Sequence, residues 1–590
     1  MTEYQNNLSQ LKETAKQLSS KDREISIIRF ICIASFAILF YQYYQSDQII
    51  WLITSALTLI AFALLIRFHN KIRWKARFTN EKITVNEHEL QFIEGDLSSF
   101  ENGEEFIKHD HPYSYDLDFF GENSLYQSLN RTSTVSGRKI LANHLLHILP
   151  TKEIEQTQES VKELAPKLDW RQGFLALAKM NPDSLESYDQ LITWSDKKPV
   201  SINAFTRFIS YLLPIATLAF LGIYLIASSS MSGNIGGLLF LINLGVLGAF
   251  SISIKKELMD TTKIEKILKQ YSFLLEEIEH QSFSSEKLKN LQSQLIHHNR
   301  KASKAIHRLA ILFGRMEHVA NVFASPILNG LFLYHIHVLI GLSQWRKNHA
   351  EDIKEWLNII GEIESLNSLA NFSYSNPDFV YPKLNNNHHL HFEDLGHPLL
   401  SKSKAVTNSI DFSNHRYFIL TGSNMSGKST FLRTVGVNMV LAGIGAPVYS
   451  SKANVHPLPV LVSMRLSDSL TDSESYFYAE VKRLKSIMDQ LVSEPCFVLL
   501  DEILRGTNSD DKRNGTIEVI RKMAAMQAYG GIATHDLEVC KTSDEFPEVL
   551  TNKRFEVEIV DDELVFDYKL RDGICQNKSA SFIMKKMGVI

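Results

Sequence analysis

Ile419-Leu420-Thr421-Gly422-Ser423-Asn424-Met425-Ser426-Gly427-Lys428-Ser429-Thr430 carries the full Gly-x4-Gly-Lys-Ser/Thr spacing of a phosphate-binding loop, and it follows an apolar run, Tyr417 to Leu420, that reads as a buried strand. A nucleotide triphosphate needs backbone N–H donors converging on its oxygens, so glycine stands at 422 and 427, where a Cβ would block the approach. A helix expected from near Lys428 directs its positive N-terminal end at the same phosphates. In such a loop Lys428 reaches the β and γ phosphates and the Ser429 hydroxyl ligates Mg2+. Gly422, Ser423, Asn424, Met425, Ser426, Gly427, Lys428, Ser429 and Thr430 are therefore the candidate cradle for ATP and Mg2+.

Three further stretches extend this reading. Phe497-Val498-Leu499-Leu500 reads as a second buried strand that ends in Asp501-Glu502, where an Asp can hold Mg2+ through water and a Glu can orient the attacking water. A third apolar turn ends in Ala533-Thr534-His535 and places His535 where it could sense the γ phosphate; a purely structural histidine is the alternative. The fourth is Ser475-Tyr476-Phe477-Tyr478-Ala479-Glu480.

Residues Thr421 to Thr430, with Asp501-Glu502-Ile503-Leu504-Arg505-Gly506-Thr507 and Ala533-Thr534-His535, resemble the ATPase domain of MutS-type mismatch repair proteins. The Asn-Met inside the loop and the Arg-Gly-Thr after the acidic pair carry that resemblance. It implies an ABC-like α/β P-loop domain that hydrolyses ATP with Mg2+ and works as a homodimer. In such ATPases a serine-containing loop of one subunit completes the site of the other. Ser475, Phe477 and Glu480 fall where the family has Ser-Thr-Phe-x-x-Glu, with Tyr476 standing in the threonine place. The resemblance thus gives Ser475 a catalytic contact in the partner's site; the alternative is a plain helix cap. Arg465 and Asp468 fit the run before that loop, and Tyr568-Lys569-Leu570, Gly573 and Ser579 resemble the family's closing segment, which adds dimer contacts.

At 590 residues and 44% hydrophobic, the chain has room for several domains. Its net charge of −4 lacks the strongly basic balance of a dedicated nucleic-acid binder, although a local basic patch would not register in that total. Cys32, Cys496, Cys540 and Cys575 have neither metal-ligand spacing nor a paired framework, which fits a reducing compartment.

Residues 1 to 24 are polar and read as a short helix; Phe30 to Ser46 and Gln48 to Ile66 then carry no charged residue and are separated by Asp47. The second run is long enough for about 30 Å of hydrocarbon, and the two make a membrane hairpin. From Phe208 to Ile254 there are 47 residues without Asp, Glu, Lys, Arg or His, interrupted by the polar turn Ser228 to Asn234, which fits two further spans. Lys12, Lys16, Lys21, Arg23 and Arg29 precede the first hairpin and Arg67, Lys71, Arg73, Lys75 and Arg77 follow it. Arg207 and Lys255-Lys256 flank the second, and neither turn carries Lys or Arg, so both hairpins start and end in the cytoplasm. The long polar N-terminal region and the span that follows at once argue against a cleaved secretory signal. The expected location is an integral membrane protein, bacterial inner membrane, with its ATPase in the cytoplasm.

Between the hairpins, Leu117-Asp118-Phe119-Phe120-Gly121, Ser124 to Thr132 and Ser136-Gly137-Arg138 resemble the opening of the MutS helical core. Ile264, Ile267, Leu268, Tyr271, Leu274, Leu275 and Ile278, then Leu288, Leu291 and Leu295, recur at helical steps and predict a long amphipathic helical pair, either ordinary packing or a lever between ATPase and membrane. Val319 to Leu342 is apolar but holds Pro326, Asn329, His335 and His337, and reads as a buried helix outside the membrane. Asn385 to His391 reads as a linker, and Leu395 to Leu400 resembles the strand entry of the MutS ATPase domain.

The expected division is hairpin 1 over 1–80, first part of the core over 81–202, hairpin 2 over 203–254, core and lever over 255–385, and ATPase over 386–590. Mismatch recognition in the family uses an N-terminal domain that inserts the aromatic of a Phe-x-Glu element. Phe92-Ile93-Glu94 matches those letters, but a hairpin and a short linker leave no room for such a domain, and no further domain is expected after Ile590. The expected function is a membrane-anchored MutS-like ATPase, homodimeric through its ATPase domains, partnered by the lipid bilayer and by unidentified proteins. It would couple ATP to movement of membrane-proximal helices or to clamping duplex or branched DNA without mismatch specificity. The alternatives are a nucleotide-gated scaffold, or a transporter-like ATPase, which spans without a charged residue do not favour.

Overall fold

The computed structural model describes residues 2–257, 261–297, 300–316, 323–465, 476–560 and 563–575. Two helices, α1 (Thr2–Ser46) and α2 (Ile49–Ile93), form an antiparallel hairpin turned at Asp47. Each has 45 residues and is about 68 Å long, roughly twice the hydrocarbon thickness of a bilayer. The short polar helix expected over 1–24 is therefore the first half of one continuous helix, and the boundary expected at 80 falls inside α2. Apolar residues from Ile27 to Tyr44 and from Ile49 to Phe68 face outward on the distal half. The proximal half carries the polar contacts: Asp22 accepts from His69 (2.6 Å) and Arg73 (3.1 Å), Arg29 bonds His69 Nδ1 (2.6 Å), and Lys12 pairs with Glu87.

The proximal end of α2 is built into a helical core. This comprises α3 (Leu125–Leu129), α4 (Val135–Leu146), α5 (Thr151–Leu164), α6 (Leu168–Lys179) and α7 (Leu185–Asp196) before the second hairpin. Ser124, Thr134 and Ser184 cap three of these helices through side-chain oxygens. Buried Glu89 of α2 binds buried Arg131 (2.5 Å), whose guanidinium also lies 4.6 Å from the Phe92 ring centroid and 3.7 Å from that of Phe100. Phe92 thus closes the end of α2 onto the core; the Phe-x-Glu letters are a packing feature here.

The second hairpin is α8 (Ala204–Ala227) and α9 (Ser230–Ala249), capped by Asn203 and Ser229. The helices α1, α2, α8 and α9 are long and apolar enough to cross a membrane, by length and composition. Next come α10 (Ser251–Glu257), α11 (Thr261–His280), α12 (Glu286–Ser293), a short antiparallel pair β1 (Ile296–His297) and β2 (Arg300–Lys301), and α13 (Ala302–Met316). The expected long pair is not α11 with α12: α12 has eight residues, and α11 packs along α13 instead. The helix expected over Val319–Leu342 is also corrected. Among the described residues it is two helices, α14 (Ala324–Phe332) and α15 (Tyr334–His349), bent by 77° at Leu333, which adopts φ 47°. The core closes with α16 (Asp352–Ser375), whose Glu364 accepts from the backbone of Ser133 and Thr134 at the start of α4. Burial pushes the Glu364 carboxyl up to about 7.

Below α9, the buried Arg346 of α15 pairs with buried Glu257 of α10, and Trp194 Nε1 donates to the same carboxylate (2.7 Å). Arg346→Ala would leave Glu257 charged and buried, and is expected to lower the unfolding free energy by about 3–5 kcal/mol. Denaturant unfolding in detergent, followed by tryptophan fluorescence, measures this.

Among its described residues the C-terminal domain holds two sheets. β3 (Lys383–Leu384), β4 (His391–Leu395), β5 (Asn408–Asp411) and β7 (Lys452–Val455) form one in the order β3-β7-β4-β5. The expected linker before β4 is the short connection from β3, with Asn385 bonding Asn454 and His389. The other sheet contains β6 (Tyr417–Thr421), β8 (Val460–Ser463), β9 (Phe497–Asp501), β10 (Tyr529–Ala533), β11 (Leu550–Val560) and β12 (Glu563–Asp572), ordered β12-β11-β6-β10-β9-β8 and parallel except for β12. Helices α17 (Lys428–Gly443), α18 (Tyr476–Ser493), α19 (Ser509–Ala525) and α20 (Thr542–Glu545) accompany it. Alternation explains its unbroken apolar strands: Phe418, Leu420, Phe497 and Leu499 join the large core shared with the helical domain, while Tyr417, Ile419, Val498 and Leu500 join a second core on the far face.

Candidate functional site

The loop Gly422–Gly427 leaves the C-terminal end of β6, and α17 starts at Lys428, as expected. A Cβ on Gly422 would lie 2.5 Å from Ser426 Oγ, and Gly427 takes φ 98°, which a side chain would strain. At the loop and the end of β9, Ser423 Oγ, Ser426 Oγ and Asp501 Oδ1 are buried with no hydrogen-bond partner among the described residues. Lys428 Nζ bonds the carbonyls of Gly422 and Ser423 (both 3.1 Å) and approaches His535 Nε2 at 3.3 Å. Burial lowers the Lys428 ammonium pKa, while the charges of Glu502 and Asp501 oppose that shift.

Strand order assembles the rest. β10 lies between β6 and β9, so parallel register delivers the ends of all three strands to one edge: Ala533 pairs with Leu420 on one side and with Asp501 on the other. Glu502 N bonds Ala533 O and Thr534 N bonds Leu420 O, both at 3.0 Å, extending the ladder one residue further. Ser429 Oγ consequently donates to Asp501 Oδ2 (2.5 Å), and His535 Nε2 meets Glu502 Oε1 at 2.7 Å. The His535 hydrogen bond holds the Glu502 carboxyl down to about 2. Ser429 and Asp501, with the unsatisfied Asp501 Oδ1, are an oxygen set that fits Mg2+. Among the described residues no group of three or more His, Cys, Asp or Glu forms a metal cage, so such an ion would take its other ligands from phosphate and water.

Glu502 and Leu504 take φ 47° and 61°, left-handed values that cost non-glycine residues about 1–3 kcal/mol each unless the surroundings impose them. Glu480 of α18 imposes this turn, accepting from Leu504 N (2.7 Å) and Arg505 N (3.1 Å); Arg505 Nε in turn donates to Glu502 O (2.9 Å). Two residues that the sequence reading passed over tie α18 and the end of β8 to the segment that precedes α3. Arg483 donates to the carbonyls of Asp110, His111 and Val462, and Asp116 accepts from Met464 N and Arg465 N (both 2.8 Å). The available signals were the position of Arg483 three residues after Glu480, on the same helical face, and that of Asp116 beside Leu117-Asp118. Tyr568 of β12 presents a partly exposed ring against the loop, 3.0 Å from where a Gly427 Cβ would stand. Ser475, Asp468 and Ser579 lie outside the described residues.

Residues 418–589 match the family model for MutS domain V. The chain is 29% identical over 253 residues to the DNA mismatch repair protein MutS of Clostridium perfringens, covering 41% of this chain and 28% of that protein. It is also 29% identical over 251 residues to MutS of Thermotoga petrophila (41% of this chain, 31% of that protein). Against human MutS protein homolog 4 the identity is 25% over 275 residues (44% and 27%). Residues 418–589 are thus similar to the ATPase-type α/β domain of the MutS proteins. The match spans less than a third of each of these relatives.

Proposed function

We propose that the chain is a membrane-anchored MutS-family ATPase whose C-terminal domains dimerise around ATP. The observation that carries this reading is the convergence of Lys428, Ser429, Asp501, Glu502 and His535 at one edge of the sheet. Backbone N–H groups of the loop and the start of α17 hold the phosphates. Lys428 neutralises their charge. Ser429 and Asp501 would hold Mg2+, which supplies neutralisation of the charge that develops on the phosphates.

Glu502 is ionised at any physiological pH and positions a water by accepting its hydrogen bond. The water oxygen attacks the γ phosphorus, the bond to the β,γ-bridging oxygen breaks, and ADP and inorganic phosphate leave, one water proton staying on the phosphate and the other passing through Glu502 to solvent. A carboxylate held near pKa 2 is a weak base; a γ phosphate that draws His535 away from Glu502 would raise its basicity only in the occupied site. Ser475 of the partner subunit completes the site, as the family resemblance implies. Since α18 follows Ser475 and carries Glu480 and Arg483, partner contact would reach both the Glu502 turn and the helical core. Glu480→Ala is expected to slow hydrolysis about 10- to 100-fold at unchanged nucleotide affinity, read from single-turnover rates and fluorescent-nucleotide binding.

The four apolar helices are read as spans anchoring this machine, with both hairpin bases in the cytoplasm. The relatives are named for DNA mismatch repair, so DNA enters as a second effector to test. The deciding experiment measures Mg2+-dependent ATPase activity of protein reconstituted in vesicles, with and without duplex and branched DNA at two salt concentrations. Vesicle flotation after an alkaline wash is run in parallel. Hydrolysis by floated protein is the expected result. Stimulation by one DNA form that fades with salt assigns the clamp role. Absence of hydrolysis under every condition overturns the enzyme reading, and loss of protein from the vesicles overturns the anchor.

A further inference from the structure

The bent pair α14–α15 lies against the second hairpin. Helix α14, Ala324–Phe332, contains no charged residue and is about 14 Å long, half the hydrocarbon thickness of a bilayer. It docks on α8 and α9 by a close approach: a Cβ on Gly330 would stand 2.1 Å from the Phe240 ring. A polar contact fixes its depth. Asn243 of α9, fully buried among apolar neighbours, donates to Gly330 O (2.7 Å) and to Thr217 Oγ1 of α8 (3.1 Å). Asn243 lies six residues before the end of α9 and 12 residues before Lys255, the first flanking charge.

The break after α14 is satisfied from within. Asn329 Oδ1 accepts from His335 N (3.0 Å), and Asn329 Nδ2 donates to Ser325 O (2.7 Å). Beyond the elbow, His337 Nε2 bonds Ser210 O (3.0 Å) of α8. Interrupted backbone at membrane depth is tolerated where neighbouring elements complete its hydrogen bonds. The uncovered side of α14 carries Ile327, 56% exposed, and α9, against which α14 packs, leaves Leu241 63% exposed.

We propose that α14 is a re-entrant helix immersed in the cytoplasmic leaflet, with lipid acyl chains as the partner of its Ile327 face. This rests on reading α8 and α9 as spans. The elbow at Leu333 turns the chain out of the leaflet into α15, which carries Arg346 to the buried Glu257 pair, so the leaflet and the helical core are joined through one rigid bend.

The test places single spin labels in the full chain, with Cys32→Ser as background because Cys496, Cys540 and Cys575 are buried. The variants are Ile327→Cys, Leu241→Cys on α9, and Val492→Cys on the ATPase domain, where the native side chain is 75% exposed. After reconstitution in phosphatidylcholine–phosphatidylglycerol vesicles, relaxation by oxygen is compared with relaxation by a water-soluble nickel chelate. Labels at 327 and 241 are expected to favour oxygen several-fold, and the label at 492 the nickel chelate. A lipid-like 241 with a water-like 327 would overturn the re-entrant helix and leave the spans standing. A water-like 241 would overturn the spans themselves. Because Ile327 is outside the packed interface, its replacement leaves the Gly330–Asn243 contact in place, and Phe332→Cys provides a second label position on α14.

Discussion

Glu502→Gln is expected to reduce ATP turnover by about 10²–10⁴-fold while nucleotide still binds, so that ATP-bound dimers accumulate. The amide keeps the size of the side chain and one acceptor oxygen but loses the charge that the native site maintains; with the carboxyl held at about 2, Glu502 is ionised throughout the working pH range. The substitution also weakens the bond to His535, now 2.7 Å long, and puts an N–H₂ group where either His535 or a water would find an acceptor. Size-exclusion chromatography with ATP, beside a phosphate-release assay, separates the two consequences. Wild-type turnover by the variant would move the water-orienting role away from Glu502.

Lys428→Ala is expected to lower nucleotide affinity by about thirtyfold or more, since truncating one member of a buried charge constellation costs about 2–5 kcal/mol. Lys428 is 6% exposed and sits between the loop carbonyls and the two carboxylates. Without it, Asp501 and Glu502 face an incoming triphosphate with no opposing cation from the loop, so repulsion adds to the lost attraction. Isothermal titration with a non-hydrolysable ATP analogue measures the change. An affinity within threefold of wild type would show that backbone donors alone hold the phosphates.

The two variants separate binding from turnover. Arg346→Ala and Glu480→Ala address different links, the first the stability of the helical core beneath α9 and the second the connection between α18 and the Glu502 turn. If ATP acts on the apolar hairpins, the route runs through contacts already in place: Glu480 and Arg483 on α18, the segment around Asp116, and the Arg131–Glu89 pair that roots α2 in the core.

Much of the ATPase domain was legible in the chain because its signals are local. A phosphate loop needs glycines at fixed spacing, a buried parallel strand is an unbroken apolar run, and a carboxylate pair at a strand end needs only adjacency; Tyr417–Thr430 and Phe497–Glu502 satisfy these over fourteen and six residues. The lengths of the apolar runs marked α8, α9 and the distal halves of α1 and α2 for the same reason. What periodicity could not supply was which surfaces meet. It gave no sign that α11 would choose α13 over the next amphipathic stretch, because both candidates offer the same spacing and only the intervening β1–β2 turn brings α13 alongside. It did not reveal the break at Leu333, since the left-handed residue is a leucine without glycine or proline beside it; Asn329 of α14 holds the turn locally, while Asn243 arrives from α9 to dock the helix before it. The polar first turns of α1 gave no hint of one 45-residue helix, as the continuity comes from its pairing with α2. Composition, spacing and run length, which act within a few turns of chain, were determined by the sequence alone. Strand order, helix partnership and the meeting of Ser429 with Asp501 and of His535 with Glu502 were decided by tertiary structure, because each depends on contacts between residues tens to hundreds of positions apart.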